Sequence, residues 1–184
     1  MTDPLLAPLR QADHDEVVAL NGRHQHLTAP MDVDRLVHLD TVGTVEVIRD
    51  EGRFAGFVVT MAGDADYDSR NFGWFAERYD SFVYLDRIVV HERFRRRGLA
   101  ARVYDEVEAR VGRTASLLAL DVNSDPPNEV SLAFHAARGF EQVGEREFRD
   151  HRVALLVKHL RGHRPTPSRR VVRVSRADRA SRGR

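Results

Sequence analysis

Three adjacent arginines, Arg95, Arg96 and Arg97, stand before Gly98 at the start of a segment with helical periodicity. Neighbouring cations repel one another and glycine is a poor helix former, so the arrangement is either tolerated or serves an anion. The first N–H groups of a helix have no partner inside it, and the helix dipole is positive there. Glycine lets a ligand approach the backbone, and arginines add charged donors. The pattern therefore predicts a site for a phosphate or pyrophosphate.

A second chemical signal is Asp86, an acidic residue inside the apolar stretch "SFVYLDRIVV". A carboxylate in a buried central strand is costly unless it is paired or useful. Asp86 is predicted to lie on the same strand face as Val90, where it could accept a proton as a general base. The alternative is a structural salt bridge with Arg87 or another arginine. Because neighbouring strand residues point to opposite faces, Arg87 is the weaker partner. Tyr84, on the predicted Asp86 face, is a second candidate catalytic residue.

The segments that would position these groups alternate between strand and helix patterns, in the order β-α-α-β-β-β-α-β-α-β-β. This order predicts one α/β or α+β domain over residues 5–160, with a mixed sheet flanked by helices. Asp13 is a candidate cap of the first helix, and "DEG" between two apolar runs predicts a hairpin. Residues 63–80 lack a clear period and are predicted to form a long loop. The helix after the arginines has an apolar stripe at every fourth residue, formed by Leu99, Val103, Val107 and Val111.

The composition is that of a globular protein that does not rely on disulfides. The chain has 184 residues, of which 42% are hydrophobic and none is cysteine, so a thiol nucleophile and a thiolate metal site are excluded. No apolar run is long enough to cross a bilayer and no signal-peptide pattern is visible, so we expect a cytoplasmic protein without a membrane partner. The nine histidines do not cluster at metal-ligand spacing, so no metal is expected.

The C-terminal residues 161–184 differ from the rest of the chain in charge. They contain nine arginines and one acid, about +8, whereas the whole chain carries +1, which leaves about −7 on the remainder. Their Arg-, Ser- and Pro-rich composition predicts disorder. Their charge could bind nucleic acid or an acidic partner; a solvated extension is the alternative.

Two segments resemble, in order, the two acyl-CoA-binding motifs of the GNAT superfamily of N-acetyltransferases. "RRRGLA", residues 95–100, fits the pattern Q/R-x-x-G-x-G/A between a strand and a helix, and "NEVSLAFHAARGF", residues 128–140, fits N-x-x-A/S-x-x-F/L-Y/H-x-x-x-G-F. The preceding "DVNSDPPN" is similar to a bacterial subgroup known chiefly as predicted acetyltransferases. The resemblance implies a mixed, mostly antiparallel sheet with one splayed parallel strand pair, flanked by helices.

The resemblance also implies acetyl-CoA as the acyl donor, bound where two parallel strands separate, here residues 82–90 and 116–122. The backbone of residues 88–90 would bind the pantetheine arm like an extra strand, and the turn N–H groups of residues 95–100 would bind the pyrophosphate. For Phe134 the alternative is plain core packing, and for Asn123 it is a turn-shaping role. The implied cofactor-binding residues are Ile88, Val89, Val90, Arg95, Arg96, Arg97, Gly98, Leu99, Ala100, Asn123, Asn128, Ser131 and Phe134.

For the chemistry, the resemblance implies direct attack by an amine in a ternary complex. The N–H of Val90 or a neighbour would stabilise the oxyanion, and Asp86 or Tyr84 would accept the proton of the amine. His135 stands where many relatives have a tyrosine, and it could protonate the leaving thiolate. The alternative for His135 is a helix residue that contacts the cofactor or caps a carbonyl.

The acceptor is predicted to be a primary amine of a small molecule or amino acid, because the acidic body favours cationic amines. The aromatic residues within 67–79 could line its pocket; the alternative is a surface flap packed on the core. A rival hypothesis is an acyl-CoA-binding regulatory module without turnover, whose basic tail binds nucleic acid or an acidic partner. Homodimers are common among the proteins that the chain resembles.

Overall fold

The computed structural model describes residues 4–25 and 28–160 of the chain. The strands are β1 Leu6–Pro8, β2 Thr44–Asp50, β3 Arg53–Ala62, β4 Phe82–Val90, β5 Leu117–Asp125, β6 Glu141–Glu147 and β7 Arg152–His159. The helices are α1 His14–Gly22, α2 Val33–Val42, α3 Arg70–Ala76, α4 Leu99–Val111 and α5 Glu129–Ala137. The proposals for residues 161–184, and the domain boundary at residue 160 that depends on them, lie outside the described residues and stay predictions.

The seven strands form one sheet in the order β1-β2-β3-β4-β5-β7-β6. Every pair of neighbouring strands is antiparallel except β4 and β5, which run parallel. A helix, α4, makes the crossover that a parallel pair requires. The predicted mixed, mostly antiparallel sheet with one parallel pair is therefore confirmed, and so is the predicted order of elements, apart from one added helix.

The sheet separates two hydrophobic clusters. On one face, helices α1, α2 and α3 cover a cluster that includes Tyr84 and Val89 of β4. On the other face, α4 and α5 pack on a cluster that includes Leu85 of β4, with Ile88 partly buried against it. The predicted stripe of α4 is confirmed, because all four of its residues are buried: Leu99, Val103, Val107 and Val111.

Two expectations about the ends of elements were wrong. Residues 63–80 are not a continuous loop, because α3 forms within them, capped by the Ser69 hydroxyl and held by the buried rings of Phe72 and Phe75. Asp13 does not cap α1 through its side chain. Its carboxylate instead accepts a hydrogen bond from the backbone N–H of Arg10 at 3.1 Å and pairs with Arg49.

The predicted hairpin between β2 and β3 is present. Glu51 and Gly52 form its two-residue turn with φ of 52° and 76°, and two successive positive φ values match the twist of the flanking strands.

A β-bulge interrupts β4 at Asp86. Val59 of β3 is opposite Arg87 and the next residue, Thr60, is opposite Leu85, so Asp86 is the extra residue. The alternation of side chains shifts by one at this position. Tyr84 and Val89 consequently lie on the same face, although they are five positions apart in the strand.

Candidate active site

The gap between β4 and β5 begins immediately after three paired residues. Phe82, Val83 and Tyr84 are paired with residues 117–119, and the β4–β5 ladder described by the structure ends there. On its other side β4 stays paired with β3 as far as Val90. Among the described residues, β4 has no pairing with β5 beyond Tyr84, so the predicted pantetheine-binding residues Ile88, Val89 and Val90 lie beside the gap, where the carbonyl oxygen of Val90 accepts a hydrogen bond from Arg95. An extended ligand could complete this part of the sheet.

The turn after β4 has the backbone geometry expected of an anion site. Gly98 occupies the N-cap position of α4 with φ of 72°, and a Cβ built on it would meet no atom within 4 Å. Arg96 is also left-handed, with φ of 60°. The N–H groups of Leu99 and Ala100 belong to the first turn of α4 and have no partner within the helix. Unpartnered N–H groups behind a left-handed glycine at the start of a helix are the features from which anion sites are built.

The structure separates the roles of the three arginines. Arg95 donates from Nε to the carbonyl oxygen of Val90 at 3.3 Å, and its Nη2 lies 2.5 Å from Nε2 of His24. Arg97 forms an ion pair with Asp50 at 2.7 Å. Arg96 is exposed, and within the described part of the chain its side chain makes no ion pair or hydrogen bond. Arg96 is therefore the arginine of the three that is available to an anion.

The polar centre of the gap is a pair of side chains from β4 and β5. The hydroxyl of Tyr84 donates a hydrogen bond to Oδ1 of Asp121. Asp121 is two residues beyond the last paired residue of β5, Ala119, and so lies where the strands begin to separate. Tyr84 is only 2% exposed. Burial, and then the nearby Asp121 charge, raise the pKa of Tyr84 well above its usual value, so the phenol stays a donor at neutral pH.

The carboxyl group of Asp121 has the pKa of a base that works near neutral pH. Desolvation by its surroundings raises the pKa to about 6. Hydrogen bonds from Tyr84 and Asn71 oppose this shift, whereas the negative charge of Asp86 adds to it. Asp121 is consequently a carboxylate at pH 7 that still takes up a proton readily.

Asp86 occupies a different position from the one predicted. The bulge turns its carboxylate away from the face of Val90 and onto the face of Arg87, so the predicted shared face with Val90 and the argument against Arg87 were both wrong. Arg87 Nε donates to Asp86 Oδ2 at 2.6 Å, and both side chains are less than 10% exposed, at 6% and 8%. Tyr67 donates to the other oxygen at 2.5 Å. Arg87 also reaches Asn21 at 3.0 Å, so Asp86 is the centre of a buried network.

His135 belongs to α5 and its side chain packs against α4, on the sheet face opposite Asp121. Its Nδ1 lies 2.7 Å from the carbonyl oxygen of Ser131 and can only donate to it. Nε2 of the neutral ring therefore accepts a hydrogen bond from the Tyr104 hydroxyl, at 2.6 Å. Burial lowers the pKa of His135. These contacts favour a packing role, and the predicted acid role stays a prediction.

The remaining predicted residues surround the start of α5. The side chain of Asn128 caps α5 by accepting a hydrogen bond from the backbone N–H of Ser131 at 3.2 Å. The backbone N–H of Asn128 donates to the carbonyl oxygen of Asn123 at 3.0 Å. Phe134 packs against Tyr104 with ring centroids 5.2 Å apart. These contacts give Asn123, Asn128 and Phe134 structural roles that are compatible with contacts to a cofactor.

Sequence reasoning did not identify Asp121 or Asn71. The signal for Asp121 was present, because "SLLALDVN" places an acid inside an apolar strand as plainly as "SFVYLDRIVV" does. Asn71 carried no signal, because the helix that positions it was not predicted.

Within the part of the chain that the structure describes, there is neither a metal-binding cluster nor a membrane-spanning helix. Residues 4–25 and 28–160 contain no group of three His, Cys, Asp or Glu side chains placed to hold a metal ion. None of the helices in the same ranges is long and apolar enough to span a membrane.

Solved structures with the same fold include several N-acetyltransferases. The ribosomal-protein-S18-alanine N-acetyltransferase from Escherichia coli has a TM-score of 0.64 and 15% identity, over 84% of this chain and 92% of that one. The ribosomal-protein-alanine N-acetyltransferase from Brucella melitensis also has a TM-score of 0.64, with 19% identity over 85% and 100%. Arabidopsis thaliana NAA60, in complex with a bisubstrate analogue, has a TM-score of 0.64 and 14% identity over 86% and 98%. At these identities the likeness shows the fold.

No curated protein matches the sequence. The sequence model of the Acetyltransferase (GNAT) family matches residues 12–140, a range that includes β4, the arginine turn, β5 and α5. Because this match spans more than half of the chain, the chain belongs to the acetyltransferase (GNAT) family, as the sequence resemblance predicts.

Proposed function

We propose that the protein transfers an acetyl group from acetyl-CoA to a primary amine, by direct attack of the amine in a ternary complex. The observation that carries this proposal is the position of Asp121, a carboxylate with a raised pKa at the point where β4 and β5 separate. Acetyl-CoA would supply an activated thioester carbonyl there. The absence of cysteine is consistent with direct transfer, because it removes the commonest acyl-enzyme nucleophile.

Asp121 would act as the general base in place of Asp86. Its carboxylate would take the proton of the acceptor ammonium, and Tyr84 would hold the carboxylate through the hydrogen bond to Oδ1. The Asp86 carboxylate is less suited to this role, because Arg87 and Tyr67 already occupy its two oxygens. Asp86 would instead act through its charge, which contributes to the raised pKa of Asp121.

The donor would lie along the free edge of β4. The backbone of Ile88, Val89 and Val90 would bind the pantetheine arm, and the N–H of Val90 or a neighbour would polarise the carbonyl oxygen. The turn at Gly98 would bind the pyrophosphate, with Arg96 as the charged side chain. Ser131 and Phe134 would line the start of α5.

A role for His135 as the acid requires a rearrangement. The neutral ring already donates from Nδ1 and accepts at Nε2, so Nε2 has no proton to give and could take one up only after Tyr104 has moved away. We therefore propose that His135 positions α5 and that water protonates the leaving thiolate.

A small-molecule amine or amino acid is the proposed acceptor class, with cationic amines favoured by the acidic body of the chain. Two of the structural relatives are named for acetylation of a ribosomal-protein alanine, so a peptide with a free N-terminus is the comparison to include. The alternative, a binding module without turnover, depends on the basic residues 161–184.

Thiol release from acetyl-CoA tests the proposal, with a panel of amino acids, polyamines, aryl-alkylamines and short peptides. We expect amine-dependent release that Asp121→Asn lowers at least about a hundredfold. Asp34 is an exposed aspartate on α2, and Asp34→Asn should leave the release unchanged. Equal activity of the two variants would contradict the assignment of Asp121. Acetyl-CoA binding without release by any amine would favour the module without turnover.

A further inference from the structure

The side-chain oxygen of Asn71 is buried and has no hydrogen-bond partner among the described residues. Two other side-chain oxygens share this property, on Asp50 and Ser124, but Asp50 forms an ion pair with Arg97. Asn71 is the second residue of α3 and precedes Phe72, whose ring lies 5.9 Å from that of Tyr84. The Asn71 side chain is also one of the two that hydrogen-bond to Asp121, so the unpartnered oxygen belongs to a side chain at the Tyr84–Asp121 pair.

The contact with Asp121 fixes which way the Asn71 amide points. An ionised carboxylate only accepts hydrogen bonds, so the amide group that meets Asp121 must be Nδ2. The side-chain hydrogen bond from Asn71 helps to lower the pKa of Asp121. The carbonyl oxygen Oδ1 is consequently turned away from Asp121.

A buried oxygen without a donor costs stability, and buried polar atoms in folded proteins are nearly always paired. An unpaired one in a candidate active site calls for a ligand that donates a hydrogen bond. Three side-chain donors of the site are already engaged with carboxylates. Tyr84 donates to Asp121, and Tyr67 and Arg87 donate to Asp86.

We propose that Asn71 Oδ1 accepts a hydrogen bond from the nitrogen of the acceptor, and that this contact selects an amine over a hydroxyl group. This inference rests on the proposed function. A primary ammonium group has three N–H bonds. After it gives one proton to Asp121, the neutral amine keeps two N–H bonds, and one of them can donate to Asn71 while the lone pair stays free. A hydroxyl group has a single O–H bond, so once Asp121 removes that proton nothing is left for Asn71.

The direct test is an NMR titration of the side-chain NH2 signal of Asn71 in the full-length, ¹⁵N-labelled protein. The signal is assigned by its loss in Asn71→Ala, and the probes are propylammonium and its hydroxyl counterpart, 1-propanol. We expect propylammonium to move the signal in a saturable manner and 1-propanol, whose single O–H bond goes to the stronger acceptor Asp121, to leave it in place. No movement with propylammonium, or equal movement with both probes, would overturn the inference.

Kinetics with the most active amine of the panel give a second readout. We expect Asn71→Ala to raise KM for the amine about tenfold, with KM for acetyl-CoA changed less than twofold. The matched control is Gln142→Ala, which deletes an exposed side-chain amide on β6. A purely structural role would instead lower the thermal midpoint and leave KM for the amine unchanged.

The two experiments separate this inference from the proposed function. Amine-dependent release by the wild type that Asn71→Ala does not alter would overturn the role of Asn71 and leave the transferase in place. A saturable shift with propylammonium, without release by any amine, would uphold Asn71 as an amine-binding residue and overturn the proposed turnover.

Discussion

The hydroxyl of Tyr84 donates a hydrogen bond to the carboxylate of Asp121 from the neighbouring parallel strand. Tyr84 belongs to the last paired position of β4, opposite Ala119, and Asp121 is the next residue of β5 on the same face. The hydrogen bond therefore spans the two strands at the point where their backbone pairing stops.

Asp121→Asn should lower kcat by about 10²- to 10⁴-fold, because an amide cannot accept the amine proton. In the wild type, kcat should rise with pH up to about 6, the pKa of Asp121, and then level off. The measurement is kcat at saturating amine between pH 5 and 8. A variant that retains the same acidic limb would show that another group titrates.

The stability of Asp121→Asn should move in the opposite direction from its activity. The folded pKa of Asp121 lies above its unfolded value, so the ionised carboxylate costs stability above about pH 6 and the cost disappears as the pH falls toward 4. Relative to the wild type, the variant should be more stable at pH 8 than at pH 4.5, that is, have a larger positive difference in the free energy of unfolding, measured by urea titration. A constant difference would contradict the raised pKa.

Tyr84→Phe should move the acidic limb of the kcat profile to higher pH. The Tyr84 hydrogen bond favours the ionised form of Asp121 and so lowers its pKa; without it the carboxyl group is protonated over a wider range. The pH profile of the variant beside that of the wild type checks this. A limb displaced to lower pH would rule out the assigned donor role.

Asp86→Asn should destabilise the fold by about 3–5 kcal/mol, because it leaves Arg87 buried without its anionic partner. The ion pair is less than 10% exposed on both sides, at 6% and 8%. Unfolding in urea, followed by the fluorescence of Trp74, measures the loss. Activity per folded molecule should fall less than in Asp121→Asn, and the reverse order would restore Asp86 as the base.

Arg96→Ala should raise KM for acetyl-CoA about tenfold, through loss of a charged hydrogen bond to phosphate, and the effect should shrink at high salt. Arg97→Ala should have a smaller effect, because Arg97 already pairs with Asp50. Arg93, exposed in the preceding 3-10 turn, is the matched control. Equal effects at Arg96 and Arg93 would indicate a general charge effect rather than a specific contact.

His135→Phe should flatten the dependence of stability on pH. Burial lowers the pKa of His135 in the folded protein, so its contribution is complete above the unfolded pKa of about 6.5 and is lost as the pH falls toward the folded pKa. The wild type should lose more unfolding free energy than the variant between pH 7.5 and 5. A larger loss in the variant would contradict the neutral, buried ring.

Regular elements with strong patterns could be predicted from the sequence. The stripe of α4 repeats every four residues and is buried as predicted. The short α3 could not be predicted, because its seven residues include Gly73 and it is stabilised by the tertiary burial of Phe72 and Phe75. Val33 and Val37 of α2 are apolar but 40% and 46% exposed, since a pattern of apolar residues does not state how much of a helix its neighbours cover.

Within the candidate site, local sequence determines the backbone of the arginine turn, whereas long-range contacts determine the surroundings of the two aspartates. The turn at Gly98 requires a glycine and follows directly from local sequence. The choice between Asp86 and Asp121 depends on a bulge and on the partners Tyr67 and Arg87, which are distant in sequence or hidden by the shifted alternation.

The bulge at Asp86 also determines how β4 can change length. Removal of one residue at this position would restore regular alternation and exchange the faces of all residues after it. Val89 would then leave the cluster under α1–α3, and Ile88 would enter it. A substitution in this strand changes the contacts of one side chain, whereas a single deletion would exchange the faces of a whole segment. Natural or engineered variants of this chain should therefore vary in length in the loops around β4 and keep the residue count from Phe82 to Val90 fixed.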